Sequence, residues 1–404
     1  MVDTSIYFHI PFCNRRCGYC DFNTFAGMKK HIPAYVDALC QEVIFIGEQS
    51  LKAIKVGTVF FGGGTPSLLN AQQLGKILEA TSTLFEVDPE AEITLEANPG
   101  TVTLKYLKEL RSIGINRISL GMQSAHPTDL RILDREHTHQ DVIRSVQWSQ
   151  QAGFERINLD LIFGIPGQTL DRWKETLDLA LMESIDHFSL YSLSVEEGTP
   201  LNRWINSGLL LEPDDDLAAA MYEYAGERLA QGGFAQYEIS NWATSRGKAM
   251  NAKCRHNLQY WRYLPYLGFG AGAHGFYDGV RTENESKIIQ FINRIENPVS
   301  DSFPSSPACV NAIKLTKWDQ MQEYLMVGFR LTDEGVSKKD FQDRFDQSID
   351  NVFNNQVSLL MKQKLIEVHP EDQDRYRLTP KGRLFGNRVF GHFVGNDTPE
   401  GLDQ

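Results

Sequence analysis

Cys13, Cys17 and Cys20 place three thiols within eight residues, on the run Cys13-Asn14-Arg15-Arg16-Cys17-Gly18-Tyr19-Cys20. Thiolates spaced i, i+4 and i+7 on a tight loop can converge on one [4Fe-4S] cubane, each on a different iron, and three protein ligands leave the fourth iron open to a substrate. The same trio could instead be disulfide partners, a zinc knuckle or buried hydrophobes. Disulfides fit poorly: Met1 to Ser5 has neither a basic residue nor an apolar leader, and six cysteines with only three clustered suit a reducing compartment. Zinc usually takes four protein ligands, and His31, in a different polar stretch, does not complete a tetrahedron. An iron–sulfur site is therefore the expectation.

The elements that must position such a loop alternate from about residue 5 to residue 195. Strand patterns fall at Ile6-Phe8-Ile10, Val56 to Phe61, Ile93 to Ala97, Arg117 to Met122, Arg156 to Phe163 and His187 to Leu193. Helical spacing falls between them, over Ile32 to Gln49, at Leu74, Ile77 and Leu78, at Leu104, Leu107 and Leu110 behind a Thr103 N-cap, over Asp141 to Gln151 and over Thr169 to Met182. Strict alternation predicts an α/β fold, a parallel (β/α)6-type partial TIM barrel. Ligands gather at the carboxyl ends of such strands. There the sequence puts the cysteine loop, Gly62-Gly63-Gly64-Thr65-Pro66, Glu96, Gln123, Asp160 and Ser194. Singly these read as an ordinary turn, a helix cap or a solvated edge. Together on one rim they point to a ligand site.

Composition bounds the rest. A chain of 404 residues, 42% hydrophobic, has room for a large barrel domain and a smaller one, divided here as residues 1–297 and 298–404. A net charge of −12 argues against a nucleic-acid surface. The longest apolar stretch, Tyr263 to Tyr277, is broken by Pro265 and glycines, so no membrane span is expected and the chain reads as soluble and cytoplasmic. Ser300 to Pro307 reads as a linker. Beyond it, helices over Trp318 to Arg330, Lys338 to Phe345 and Val352 to Gln363, with a hairpin of Leu365 to Val368 and Tyr376 to Leu378, predict a small α+β winged-helix-like domain. Its residues 318–404 hold 11 basic and 15 acidic side chains, which favours a docking or lid role over DNA reading.

The run Tyr7-Phe8-His9-Ile10-Pro11-Phe12-Cys13-x3-Cys17-Gly18-Tyr19-Cys20 resembles the cluster loop of the radical S-adenosylmethionine (SAM) family, in the branch that holds oxygen-independent coproporphyrinogen III dehydrogenases and HemW haem chaperones. The likeness continues through Gly62 to Pro66, Glu96-Ala97-Asn98-Pro99-Gly100, Gly121-Met122-Gln123-Ser124, Arg135-Glu136-His137, Asp160 to Gln168, Gln236 to Asn241 and His256-Asn257-Leu258-Gln259-Tyr260-Trp261. The resemblance implies a [4Fe-4S] cluster on Cys13, Cys17 and Cys20, with SAM chelated at its open iron and cleaved reductively in many relatives. It implies methionyl contacts from Gly63, Gly64 and Thr65, further SAM contacts from Glu96, Gln123, Arg135 and Asp160, and flanking roles for Tyr7 and Tyr19.

Two departures separate this chain from the dehydrogenases of that branch. They carry a further cysteine two residues after the third ligand, where this chain has Phe22, and an N-terminal extension ahead of the loop, whereas Cys13 comes early here. The H-N-x-x-Y-W segment resembles the HemW motif, which implies haem binding with His256 as axial ligand. Cys254 ranks below it, on the premise that a strand would turn both to one face. The implied partners are haem and haem-accepting apoproteins such as respiratory haem enzymes, with peripheral membrane contact, a homodimer and no nucleic acid. SAM-dependent oxidative decarboxylation of coproporphyrinogen III is the alternative, and a cluster-bearing transcriptional sensor a third reading. His9, His137 and His274 are expected to be structural.

Overall fold

The computed structural model describes residues 3–244, 252–299 and 302–395. Its frame is six adjacent parallel strands: β1 (Thr4–Ile10), β2 (Lys55–Gly63), β3 (Glu86–Ala97), β4 (Arg117–Gln123), β5 (Arg156–Phe163) and β6 (His187–Ser192). The chain returns between them through α1 (Ile32–Gln49), α2 (Ala71–Leu84), α3 (Leu104–Ser112), α4 (His139–Gln151) and α5 (Leu170–Leu181). This is the expected partial barrel. Helix starts follow from local chemistry: Asn70 and Gln73 form a capping box on α2, Thr138 and Asp141 another on α4, and the Thr103 side chain accepts the Tyr106 N–H to open α3.

The two faces of these strands differ in kind. One carries Ile6, Phe8, Val59, Phe61, Leu95, Ile118, Leu120, Leu159, Leu161, Phe188 and Leu190, which join the helices in a single apolar core containing Leu39, Val43, Ile77, Leu107 and Trp173. The other, alternating with it, carries Tyr7, Thr58, Glu92, Glu96, Arg117, Ser119, Asn158, Asp160, His187 and Ser189, brought side by side by registers such as Ser119 with Asn158 and Asn158 with His187. Barrel interiors are usually packed with branched apolar side chains. This one is polar.

The sheet stays open and grows to twelve strands. Past β6 lie β8 (Asn241–Thr244) and β7 (Phe234–Glu238), both antiparallel additions. Between them and the next strands in sequence, α6 (Arg255–Trp261) packs on the polar inner face through His256, whose ring stacks on Phe60 of β2 at 5.0 Å. On the other edge β9 (Tyr266–Phe269) runs parallel to β1, followed by antiparallel β10 (His274–Tyr277), β11 (Val280–Asn284) and β12 (Cys309–Lys314).

Of the expected linker, residues 300 and 301 lie outside the described residues, but Phe303 packs edge-on against Tyr277 at 5.0 Å and Ser306 is buried. Ser306 Oγ, the Gly270 N–H and Asn284 Nδ2 all donate to Glu42 of α1, at 2.7, 2.8 and 2.6 Å. Even so, burial pushes the Glu42 carboxyl up to about 7 from 4.5. The folded chain then binds this proton more tightly than the unfolded one. Its contribution is present in full below the unfolded value and lost as pH rises through 7, amounting to about 3 kcal/mol. Urea midpoints are expected to fall from about pH 5 to pH 8 more steeply in the parent than in Glu42→Gln; parallel slopes would show that Glu42 is not the group responsible.

The C-terminal part has its own core of Trp318, Phe329, Phe341, Phe353, Leu360 and Leu378, reached by Tyr263 from the turn after α6 and by Phe276 from the main sheet. Helices Lys317–Gly328, Lys338–Phe345 and Asn354–Lys362 surround a small antiparallel sheet of β13 (Val336–Ser337), β14 (Ile366–His369) and β15 (Asp372–Leu378), a winged-helix-like arrangement. No described helix is long and apolar enough to cross a membrane.

Candidate functional site

The carboxyl ends of the parallel strands open into a cavity of about 380 Å³. Cys13, Cys17, Cys20, Tyr19, Gly63, Gly64, Thr65, Glu96, Gln123, Arg135, Asp160 and Ser194 all line it. Among the described residues no three His, Cys, Asp or Glu side chains form a group able to hold a single metal ion; a cubane instead spreads its thiolates over separate irons. All three cysteines are free thiols. Burial pushes the Cys13 and Cys20 thiols up, so without a metal they stay protonated, and loading iron would release those protons.

A hydrogen-bonded belt joins two of the sulfurs. Thr65 Oγ1 donates to Cys13 Sγ at 3.7 Å and accepts from Asn98 Nδ2 at 3.2 Å. Arg135 donates to Asn98 Oδ1 at 2.6 Å and to Cys17 Sγ at 3.6 Å. Donors to cysteine sulfur suit a thiolate that ligates metal. Gly64 sits against the cysteine loop so closely that a Cβ would come within 2.7 Å of the Phe12 carbonyl oxygen and 3.0 Å of Cys13 Sγ. Gly63 has φ +111°, in the left-handed region, which aims its N–H at Glu96 Oε2, 3.2 Å away.

The cavity also holds one buried side-chain oxygen without a hydrogen-bond partner among the described residues, and two carboxyls raised by burial. Gln123 has φ +62°, a strained conformation for a side-chain-bearing residue, and its Oε1 is buried with no hydrogen-bond partner among the described residues. Burial, then the charge of Asp160, pushes the Glu96 carboxyl up to about 8. Burial also raises Asp160, against hydrogen bonds donated by Ser119 and Asn158 at 2.8 Å each. Two carboxyls, an orphan amide oxygen and three thiols in one concave site fit a cationic amino-acid-like ligand beside a metal cluster.

Two candidate residues lie outside this cavity wall. Tyr7 stacks on Phe60 at 6.2 Å and donates to His9 Nδ1 at 2.9 Å. His256 is buried, near the opposite end of the strands: it touches Thr58, five residues before Gly63 on β2, roughly 16 Å along an extended strand. Its Nδ1 pairs with Thr58 Oγ1 at 2.7 Å and its Nε2 with the Tyr260 hydroxyl at 2.9 Å, while its backbone N–H donates to Glu92 Oε1 at 3.0 Å. Burial, then the charge of Arg117, lowers the imidazole to about 3. Cys254 does not sit on a strand as expected. It is the N-cap of α6 and donates to Glu92 Oε1 at 3.4 Å, and burial raises its thiol to about 12. His9 and His137 are buried and bond to backbone oxygens, whereas His274 is exposed on β10.

Asn98, Ser119 and Tyr191 line the cavity without having been singled out in the sequence. The signal for Ser119 was the period of two in β4, which puts it on the face of Gly121 and Gln123. A polar seam runs on from Asp160 through Asn158 to His187 Nδ1 at 2.6 Å, from His187 Nε2 to the Tyr237 hydroxyl at 2.8 Å, and so to the Cys254 N–H at 3.3 Å.

The radical SAM superfamily pattern matches residues 7–180 and the HemN C-terminal domain pattern residues 315–385. The chain is 37% identical over 396 residues to the haem chaperone HemW of Bacillus subtilis, covering 97% of this chain and 99% of that one. It is 35% identical over 393 residues to the haem chaperone HemW of Lactococcus lactis, covering 97% and 98%. Among solved structures it is similar to coproporphyrinogen III oxidase (HemN) of Escherichia coli, a radical SAM enzyme, with a TM-score of 0.83 and 24% identity over 97% of this chain and 90% of that one. At that identity the likeness is one of fold. Sequence motifs, the polar-lined cavity at the strand ends and near full-length identity thus converge: this chain belongs to the HemW family of radical SAM proteins.

Proposed function

We propose that the chain is a cytoplasmic haem chaperone, which binds haem and passes it to acceptor apoproteins while carrying a [4Fe-4S] cluster and exchangeable SAM. The observation that carries this reading is the near full-length likeness to haem chaperones, joined to a loop with Phe22 where the dehydrogenases have a further cysteine. Cys13, Cys17 and Cys20 would hold the cluster. When bound, the cluster supplies an open iron position and an electron. Gly63, Gly64 and Thr65, in the cavity wall, would hold the methionyl part of SAM, where absent or small side chains let backbone polar groups approach. Glu96, protonated or not near neutral pH, and the partnerless Gln123 Oε1 can take up the ammonium N–H groups. Asp160, held by Ser119 and Asn158, can accept ribose hydroxyls, and Arg135 suits a carboxylate. Tyr19, which lines the cavity, and Tyr7, behind its wall, would flank the same site.

Haem is assigned to the H-N-x-x-Y-W segment, with His256 as ligand. In the conformation described both ring nitrogens are occupied, so ligation requires Tyr260 or Thr58 to let go. Respiratory haem enzymes as acceptors, peripheral membrane contact and a homodimer belong to the same proposal. The residue ranges 1–297 and 298–404 are proposed as its two domains, although β12 joins the large sheet from the second.

The deciding experiment is anaerobic incubation of the reconstituted chain with coproporphyrinogen III, SAM and a reductant. The expected result is no release of carbon dioxide above background, together with saturable haem binding. Stoichiometric loss of propionate carboxyls would replace the chaperone reading with the dehydrogenase one.

A further inference from the structure

We propose that Asn23 is a positioning residue, which fixes the loop bearing the three thiols by clamping it to the turn at Gly270–Ala273 and to Ser286. The inference rests on the cluster reading above and concerns what holds the loop in shape. Asn23 lies three residues past Cys20 and does not line the cavity. Its Nδ2 donates to two backbone oxygens, of Ala271 and Ser286, each at 2.9 Å. Its own carbonyl accepts His9 Nε2–H at 2.8 Å, and the Tyr7 hydroxyl donates to the other nitrogen of that ring.

The receiving turn is built around the amide. Gly272 has φ +76°, and a Cβ there would stand 2.3 Å from Asn23 Nδ2. The turn is itself anchored: Tyr35 takes the Ala271 N–H and donates to the His9 carbonyl oxygen, both at 2.8 Å, and Glu42 takes the Gly270 N–H. At its base the cysteine loop is pinned by pairing of the two-residue strands Phe12–Cys13 and Phe25–Ala26. That leaves the return from Cys20 to Thr24 to be set elsewhere, and Asn23 sets it. Its acceptors are 248 and 263 residues away, beyond the 7–180 span matched by the superfamily. Elements appended to the shared barrel core therefore hold the cluster loop in place. Groups that orient metal ligands without touching the metal typically change affinity by about ten- to a hundred-fold when removed.

The full chain, its Asn23→Ala variant and, as a second approach to the same contact, Gly272→Ala are to be reconstituted anaerobically with iron and sulfide. Both variants keep every thiol. They are expected to bleach in air about ten- to a hundred-fold faster than the parent and to show altered electron paramagnetic resonance of the reduced cluster with SAM. The cluster-free chains should melt within a few degrees of one another. Parental bleaching and spectra in whichever variant folds would overturn the proposal. So would a large drop in melting of the cluster-free chain with unchanged bleaching, which would make Asn23 a fold contact alone. If the parent takes up neither iron nor sulfide, the cluster reading falls and the proposal with it; if the parent loads and the variants match it, only the proposal falls.

Discussion

Cys17→Ala, reconstituted without oxygen, is expected to fold normally and to lose the cluster absorbance near about 400 nm entirely, with iron and sulfide at background. The thiol is half-buried in the cavity wall, so its removal opens no sealed core void and the fold should tolerate it. Two thiols cannot replace three, because each is needed on a different iron. The vacancy also leaves Arg135 with one partner fewer: its guanidinium keeps Asn98 and the Gly121 carbonyl but loses Cys17 Sγ. Full retention of iron, sulfide and absorbance in this variant would remove Cys17 from the ligand set.

His256→Ala should have the second largest effect, and on two observables. Removing the ring leaves a void between Phe60 and Tyr260 and strips Thr58 and Tyr260 of a partner, which together should cost about 3 kcal/mol of stability. Haem affinity should drop and the Soret band shift. Because instability could imitate weak binding, Tyr260→Phe gives the cleaner reading. It keeps the packing and frees the imidazole Nε2, so an iron-ligating His256 should bind haem more tightly in that variant. Equal haem affinity and an identical Soret band in the parent and both variants would exclude His256 as a ligand. The lowered pKa has its own sign. The unfolded imidazole protonates at ordinary values while the folded one stays neutral to about 3, so this contribution to stability is present above about pH 6.5 and is lost as the solution is acidified.

Much of the frame was legible because strands and helices announce themselves by period. The patterns of Ile32 to Gln49 and Arg156 to Phe163 carry the bounds of α1 and β5, and Thr103 is the cap its residue type and place announce. The rim of Cys13, Gly63, Glu96 and Gln123 is visible at strand ends, whereas Asp160, expected there too, stands inside its strand three residues before the end. What escaped was the inner face. In sequence, Glu92, Arg117, Asn158 and His187 fall on the alternating positions of their strands just as a solvated face would, and only the packing of α6 and its N-cap on the inner face of the open sheet makes them interior. The role of Glu92 depends on Arg156, Cys254 and His256, partners up to 164 residues away, which no local pattern reports. The motif at His256 was likewise readable as a motif but silent about Thr58. Cys254 differs from the expectation for a local reason: its backbone is extended, but the short helix α6 begins at the next residue, so no strand forms there and its thiol turns to Glu92.

The contrast between the two strand faces bears on how such a chain can change over generations. Outward side chains carry nearly all the apolar burial that keeps the barrel and its helices together, while inward ones meet each other through directional bonds. An exchange of Ser119 or Tyr191, which line the chamber, thus alters what it can recognise without disturbing the greasy layer behind it. Chemistry and architecture are inherited on alternate residues of the same ribbon, so a new ligand preference can be acquired one inward position at a time.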